Sequence, residues 1–201
     1  MTQKLHLKEI FSQYAPPSLI PYLIQVWEES PFSLIITHPH RTSFGYYRYH
    51  PKRGGLIRLN SDLSTSHFTM TFLHEVAHHR VTIGSRQMKR RVAPHGPEWK
   101  KAFQDLMAPI LACAVFPQPI QNAVQIHMLN PPASTIRDKR LTQLFRQEKG
   151  EIKQILADIP VGQEFVFQGR RFKLLAHRRT RSLCEDLHLK QKCLISQLAP
   201  I

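Results

Sequence analysis

His67–Ile83 reads HFTMTFLHEVAHHRVTI, and the way this stretch winds decides the fold. On a helical wheel Phe68, Phe72, Leu73, Val76 and Ala77 fill one broad apolar arc, which predicts a long core-facing helix. The polar cluster Asn60–Ser66 supplies its start and Gly84 its expected end. His74-Glu75-Val76-Ala77-His78 spells H-E-x-x-H. At about 100° per residue His74 and His78 fall about 40° apart, one turn from each other, so both imidazoles can reach one ion. Glu75 lies too far round to ligate comfortably and is placed to take a proton from a metal-bound water. His79 projects about 100° from His78 and reads as a core or supporting histidine.

Upstream of this helix, residues 5–29 read as helical pieces broken by Pro16-Pro17 and Pro21. Phe32–Thr37, Tyr46–His50 and Leu56–Asn60 are short β-rich runs, the last two joined by a Pro51–Gly55 hairpin turn. Tyr46, Tyr47, Arg48 and Tyr49 lie on the second run, read as a middle strand one strand away from the metal helix, with half of them expected to pack in the core, the others bordering a substrate cleft, and Tyr47 or Arg48 as oxyanion partners. Downstream, Ser85–Val92 reads as a basic loop, and a helix is expected from Pro97 to about Leu106 on the spacing of Trp99, Phe103 and Leu106. A catalytic zinc needs three protein ligands and one open position. Val81 occupies the place where a metzincin has glycine, so the third ligand must come from further on. His95, bent back by Gly96, is one candidate; Glu98, as in glutamate-zincins, is the other, although an acid in the first turn of a helix is favourable there without any metal.

The chain has 201 residues with 28 Lys+Arg against 14 Asp+Glu, a formal charge of +14. Hydrophobic residues make up 42%, enough to bury a core, which excludes wholesale disorder. Such a charge predicts an anionic partner, nucleic acid ahead of membrane. Two basic runs are the candidate contacts: Arg86, Lys89, Arg90 and Arg91 near the metal site, and Arg170, Arg171, Arg178 and Arg179 near the C-terminus. Between Gly169 and Ser182 no acid interrupts the second run. Phe172 within it reads as core in preference to a base-stacking ring. Three cysteines without C-x-x-C argue against a disulfide framework and fit a reducing compartment. Cys113 reads as a small buried residue. The longest apolar run, Leu106–Phe116, contains Pro109 and is too short to span a bilayer. The first ten residues develop no apolar stretch, and a cytoplasmic protein is expected, nucleoid-associated in a bacterial host.

His74-Glu75-x-x-His78 followed by Val92-Ala93-Pro94-His95-Gly96-Pro97-Glu98-Trp99 resembles the SprT-like zinc metallopeptidases, which include the Spartan proteases. Their signature is H-E-x-x-H with a later H-G-x-E-W, and the order of helix, three short strands and metal helix is similar over about residues 15–112. The resemblance implies His74, His78 and His95 as ligands of one Zn2+ per chain and Glu75 as the catalytic base. It also implies an α+β, zincin-like fold and endopeptidase action on DNA-associated or DNA-crosslinked proteins. The partners expected are DNA without sequence specificity, single strands included, and protein substrates, with no membrane and a monomeric chain. The competing reading is a DNA-binding or transcription-associated module with a structural zinc and little turnover; Glu75 argues against it, since a structural site needs no base. The domains expected are 1–115 for the metallopeptidase, 116–135 for a Pro-rich connection and 136–201 for a helix with a small basic β-unit. Many SprT-like proteins carry a zinc ribbon at that end. Here Cys184 and Cys193 stand alone, so a second zinc is not expected.

Overall fold

Prolines set the N-terminal layout seen in the computed structural model, which describes residues 2–40, 43–88, 92–133, 138–151 and 154–201. Helix α1 (Thr2–Tyr14) stops before Pro16-Pro17, a 3-10 turn covers Pro17–Leu19, and α2 (Ile20–Glu29) starts with Pro21 in its first turn, where a missing N–H costs nothing. Strands β1 (Ser33–Thr37), β2 (Gly45–His50) and β3 (Gly54–Asn60) form one sheet in the order β1-β3-β2, with β1 parallel and β2 antiparallel to β3. The turn between β2 and β3 is the expected hairpin, closed by Gly54 at φ 77°. Strand β2 is therefore an edge strand, not the middle one: the central place goes to β3, whose Ile57 and Leu59 are fully buried.

Helix α3 (Thr65–Gln87) packs on this sheet and buries Phe68, Phe72, Leu73, Val76 and Ala77, the arc drawn from the sequence. It runs through Gly84 and takes in Ser85–Gln87, so Arg86 belongs to its last turn and not to a loop. Helix α4 (Pro97–Ala112) extends past Leu106 and through Pro109; a proline so near the end removes one backbone bond only. Trp99, Phe103, Leu106 and Ile110 form its buried stripe. Cys113, just beyond, is exposed, because the helix has ended and the chain turns at Ala114 with φ 47°. Helix α5 (Gln118–Met128) follows. Phe11, Phe32, Phe68 and Phe72 cluster at the centre, with Phe11 and Phe72 edge-on at 5.0 Å.

The contacts divide the chain into Met1–Arg137 and Asp138–Ile201. In the second unit Asp138 caps α6 (Lys139–Glu148) by accepting from the Leu141 amide at 3.0 Å. The helix stops because Gly150 turns left-handed at φ 78° and its amide donates to the Gln147 carbonyl. Strands β4 (Glu164–Phe167), β5 (Arg170–His177), β6 (Arg181–Asp186) and β7 (Lys192–Ser196) follow as a four-stranded antiparallel sheet in sequence order. Its core is Leu156, Ile159, Phe165, Phe172, Leu174, Cys184, Ile195 and Ala199, so Phe172 is core. The protein is thus mixed α+β, with six α-helices among the described residues and two separate sheets. No helix among them is long and apolar enough to cross a membrane.

Candidate metal centre

Helix α3 presents His74 and His78 on one side, their rings 5.1 Å apart. The third histidine reaches them from the connection to α4. His95 holds a left-handed backbone, φ 58°, a conformation uncommon outside glycine and a mark of functional sites. The next residue, Gly96, closes a turn onto the Ala93 carbonyl at 3.0 Å, and its own carbonyl accepts the first bond of α4 from the Lys100 amide. This bend aims the imidazole back at α3, where His95 Nε2 lies 2.9 Å from His78 Nε2. One nitrogen from each of His74, His78 and His95 falls within 4.8 Å of the other two. Among the described residues this is the only such group, and Glu98 is not in it; Glu98 sits in the first turn of α4.

Trp99 forms the floor. Its indole is 4.7 Å from the His74 ring, 5.4 Å from His78 and 4.6 Å from His95, and Nε1 donates to the His74 carbonyl at 3.4 Å. Phe103 closes the side of His74 at 5.4 Å. The sequence offered Trp99 and Phe103 only as a helical stripe; the i, i+4 spacing that buries them also sets both rings against the imidazoles. Burial lowers all three imidazoles below the ordinary range, His74 well below it and His78 to about 4, helped in both by neighbouring imidazoles. They are therefore neutral at physiological pH, the form that ligates.

Glu75 is 6% exposed, and burial alone pushes its carboxyl up to about 8. Strand β2 crosses directly over it: a Cβ on Gly45 would stand 2.7 Å from Glu75 Oε1 and 2.8 Å from Thr71 Cγ2. Along β2 the side chains alternate. Tyr47 faces the helix, its ring parallel to that of His78 at 6.4 Å; Tyr46 and Arg48 face outward. The Tyr47 hydroxyl lies 3.2 Å from His79 Nδ1, and His79 Nε2 is 3.1 Å from the Ser30 carbonyl. That carbonyl can only accept, so Nε2 carries the proton and Tyr47 donates to Nδ1. His79, 1% exposed, is thus a supporting residue beside the ligands, as its angle on the wheel indicated. Gly55 makes room for it, since a Cβ there would meet the ring at 2.5 Å.

The basic runs divide on inspection. Arg86 stacks over the Tyr49 ring at 4.5 Å, while Lys89, Arg90 and Arg91 lie outside the described residues. Arg170 pairs with Asp186, and Arg171 with Glu164 at 2.6 Å, acids that flank the run in sequence and meet it across the strands. Arg178 and Arg179 are exposed between β5 and β6 and make no ion pair among the described residues.

A helix-borne histidine pair, a third histidine from the following loop and a buried glutamate beside them define a site able to hold a metal ion. Residues 23–121 match the SprT-like family, and this part of the chain is a SprT-like domain. Family and histidine triad together suggest a domain of metallopeptidase type. No curated protein and no solved structure matches the chain.

Proposed function

We propose that the chain is a zinc-dependent endopeptidase with a zincin-like catalytic domain, acting on proteins associated with or crosslinked to DNA. The observation that supports it is the convergence of His74, His78 and His95 beside the buried carboxyl of Glu75. Three imidazoles with one position left open are the donor set of a catalytic zinc. The 2.9 Å between His78 Nε2 and His95 Nε2 is near the roughly 3.3 Å edge of a tetrahedron with Zn–N bonds of about 2.0–2.1 Å. When bound, zinc supplies Lewis acidity to the scissile carbonyl and acidifies water. The remaining work belongs to side chains. Positive charge beside Glu75 favours its ionised form, and as a base that carboxylate takes the proton of the attacking water and delivers it to the leaving amine. The outer edge of β2, with Gly45 against Glu75, offers unpaired backbone groups to which an extended peptide can add. Arg178 and Arg179 are the phosphate contacts best placed to act, and the setting that suits a DNA partner is cytoplasmic, nucleoid-associated in a bacterial host.

The test combines elemental analysis with cleavage of a generic unfolded protein, with and without DNA. One zinc per chain and cleavage that Glu75→Gln abolishes while zinc is retained are expected. Zinc and DNA binding with no turnover by the native chain would establish the structural-zinc module instead.

A further inference from the structure

Strands β6 and β7 pair antiparallel with Cys184 directly opposite Cys193. Directly opposed residues project from the same face of a sheet, and both thiols lie in the apolar core of the C-terminal unit, Cys184 fully buried and Cys193 partly exposed against it. The Asp186 amide donates to the Gln191 carbonyl at 2.9 Å. Bonded pairs alternate along such a ladder, so Cys184 and Cys193 also form a hydrogen-bonded pair, with Cα atoms about 5.5 Å apart. That separation lies inside the roughly 4.4–6.8 Å span of disulfides. Both are free thiols. Cys193, but not Cys184, lines a cleft of about 290 Å³ with Phe172 and Ile195, in which Arg170 is paired with Asp186 and Lys192 supplies positive charge.

We infer that Cys193 and Cys184 form a thiol–disulfide exchange site for a small anionic disulfide of the glutathione class, Cys193 attacking and Cys184 resolving. The Cys193 thiolate bonds to one sulfur of the incoming disulfide, whose S–S bond breaks and releases one small thiolate. Cys184 then attacks Cys193 Sγ, and the second small thiolate leaves and takes up the Cys184 proton. Two electrons pass from the protein to the small disulfide, yielding one protein disulfide and two small thiols. The cleft admits the reagent to Cys193, and the register puts the second thiol within reach. Burial pushes Cys184 up to about 11 and raises Cys193, so exchange at neutral pH is slow and exposure must be long. This site is independent of the peptidase reading.

Cys113 is an internal comparator: it is exposed and the other two cysteines lie in the other unit. The full chain is incubated with oxidised glutathione, alkylated, digested and mapped by mass spectrometry. Cys113 should retain glutathione, whereas Cys184 and Cys193 should be joined to each other. Cys184→Ser should trap glutathione on Cys193, and Cys193→Ser should leave Cys184 unmodified. Glutathione persisting on Cys193 in the native chain would overturn the inference. So would two free thiols there after exposure prolonged far beyond the full modification of Cys113. Mapping of the native chain decides the matter even where a serine variant fails to fold.

Discussion

The backbone of Gly45 and the carboxylate of Glu75 occupy adjoining space, such that one added methyl would lie 2.7 Å from Oε1 and 3.0 Å from Cγ. Edge strand and helix are thereby in direct contact at the proposed base. The same methyl would meet Thr71 Cγ2 at 2.8 Å, so it presses on two side chains of the helix at once. Gly45→Ala should displace Glu75 while leaving the three histidines in place. A displacement near 1 Å can cost about 100-fold. The expected outcome is a fall of that order in kcat with zinc content unchanged, read by steady-state kinetics beside elemental analysis. Full activity in the variant would show that the base is not held by this contact.

Glu75 also imposes a pH dependence on the metal-free fold. Its folded carboxyl keeps a proton up to about 8, against 4.5 ordinarily. Between those values the folded state binds more protons than the unfolded state, so this group's contribution to stability falls as pH rises. Glu75→Gln removes the titration. In chelator, denaturant unfolding should show the variant gaining on the native chain steadily from about pH 4.5 to about 8. A pH-independent difference would place the carboxyl in water.

His95 and Glu98 are both in reach of a sequence argument for the third ligand, and only His95 joins the nitrogen cluster. His95→Ala should therefore weaken zinc binding by more than the about 10–100-fold typical of losing a supporting hydrogen bond. Glu98→Ala should change it only a few fold. Competition with a chromophoric chelator measures both, and the reverse order would make Glu98 the ligand.

The helix of the site was legible because H-E-x-x-H coincides with an apolar arc that needs no tertiary knowledge, whereas His95 was one of two candidates for the third ligand, with Glu98, until the resemblance singled it out. What escaped was long-range. Gly84 and Gly150 look alike in sequence, yet α3 runs through the first and α6 stops at the second. Of the two, Gly150 alone adopts positive φ, and in α3 the helix continues past Gly84 at a penalty near 1 kcal/mol for glycine. The edge position of β2 depends on β1 pairing parallel with β3 across the hairpin, a choice no local pattern encodes. The partners of Arg170 and Arg171 are hidden in the same way, because Asp186 and Glu164 become neighbours only through sheet register.

Those ion pairs sharpen the expected salt response of DNA binding. Each phosphate contact contributes about 0.7–0.9 to the slope of log affinity against log salt, the lower figure for single strands. Arg178 and Arg179, exposed and without an acid partner among the described residues, are free to make such contacts. Arg178→Gln with Arg179→Gln should flatten the slope by about 1.4–1.8 and weaken binding equally across sequences. Arg170→Gln with Arg171→Gln should behave differently. Each removes a cation already committed to Asp186 or Glu164, so affinity falls through the net field while the slope holds. Zinc content should be unaltered by either pair, since the histidines belong to the other unit. Fluorescence anisotropy over a salt series resolves the two cases. Equal flattening by both pairs would mean that the ion pairs open on binding. No flattening by Arg178→Gln with Arg179→Gln would remove the turn between β5 and β6 from the DNA contact altogether, leaving Arg86, in the last turn of α3, to be tested next.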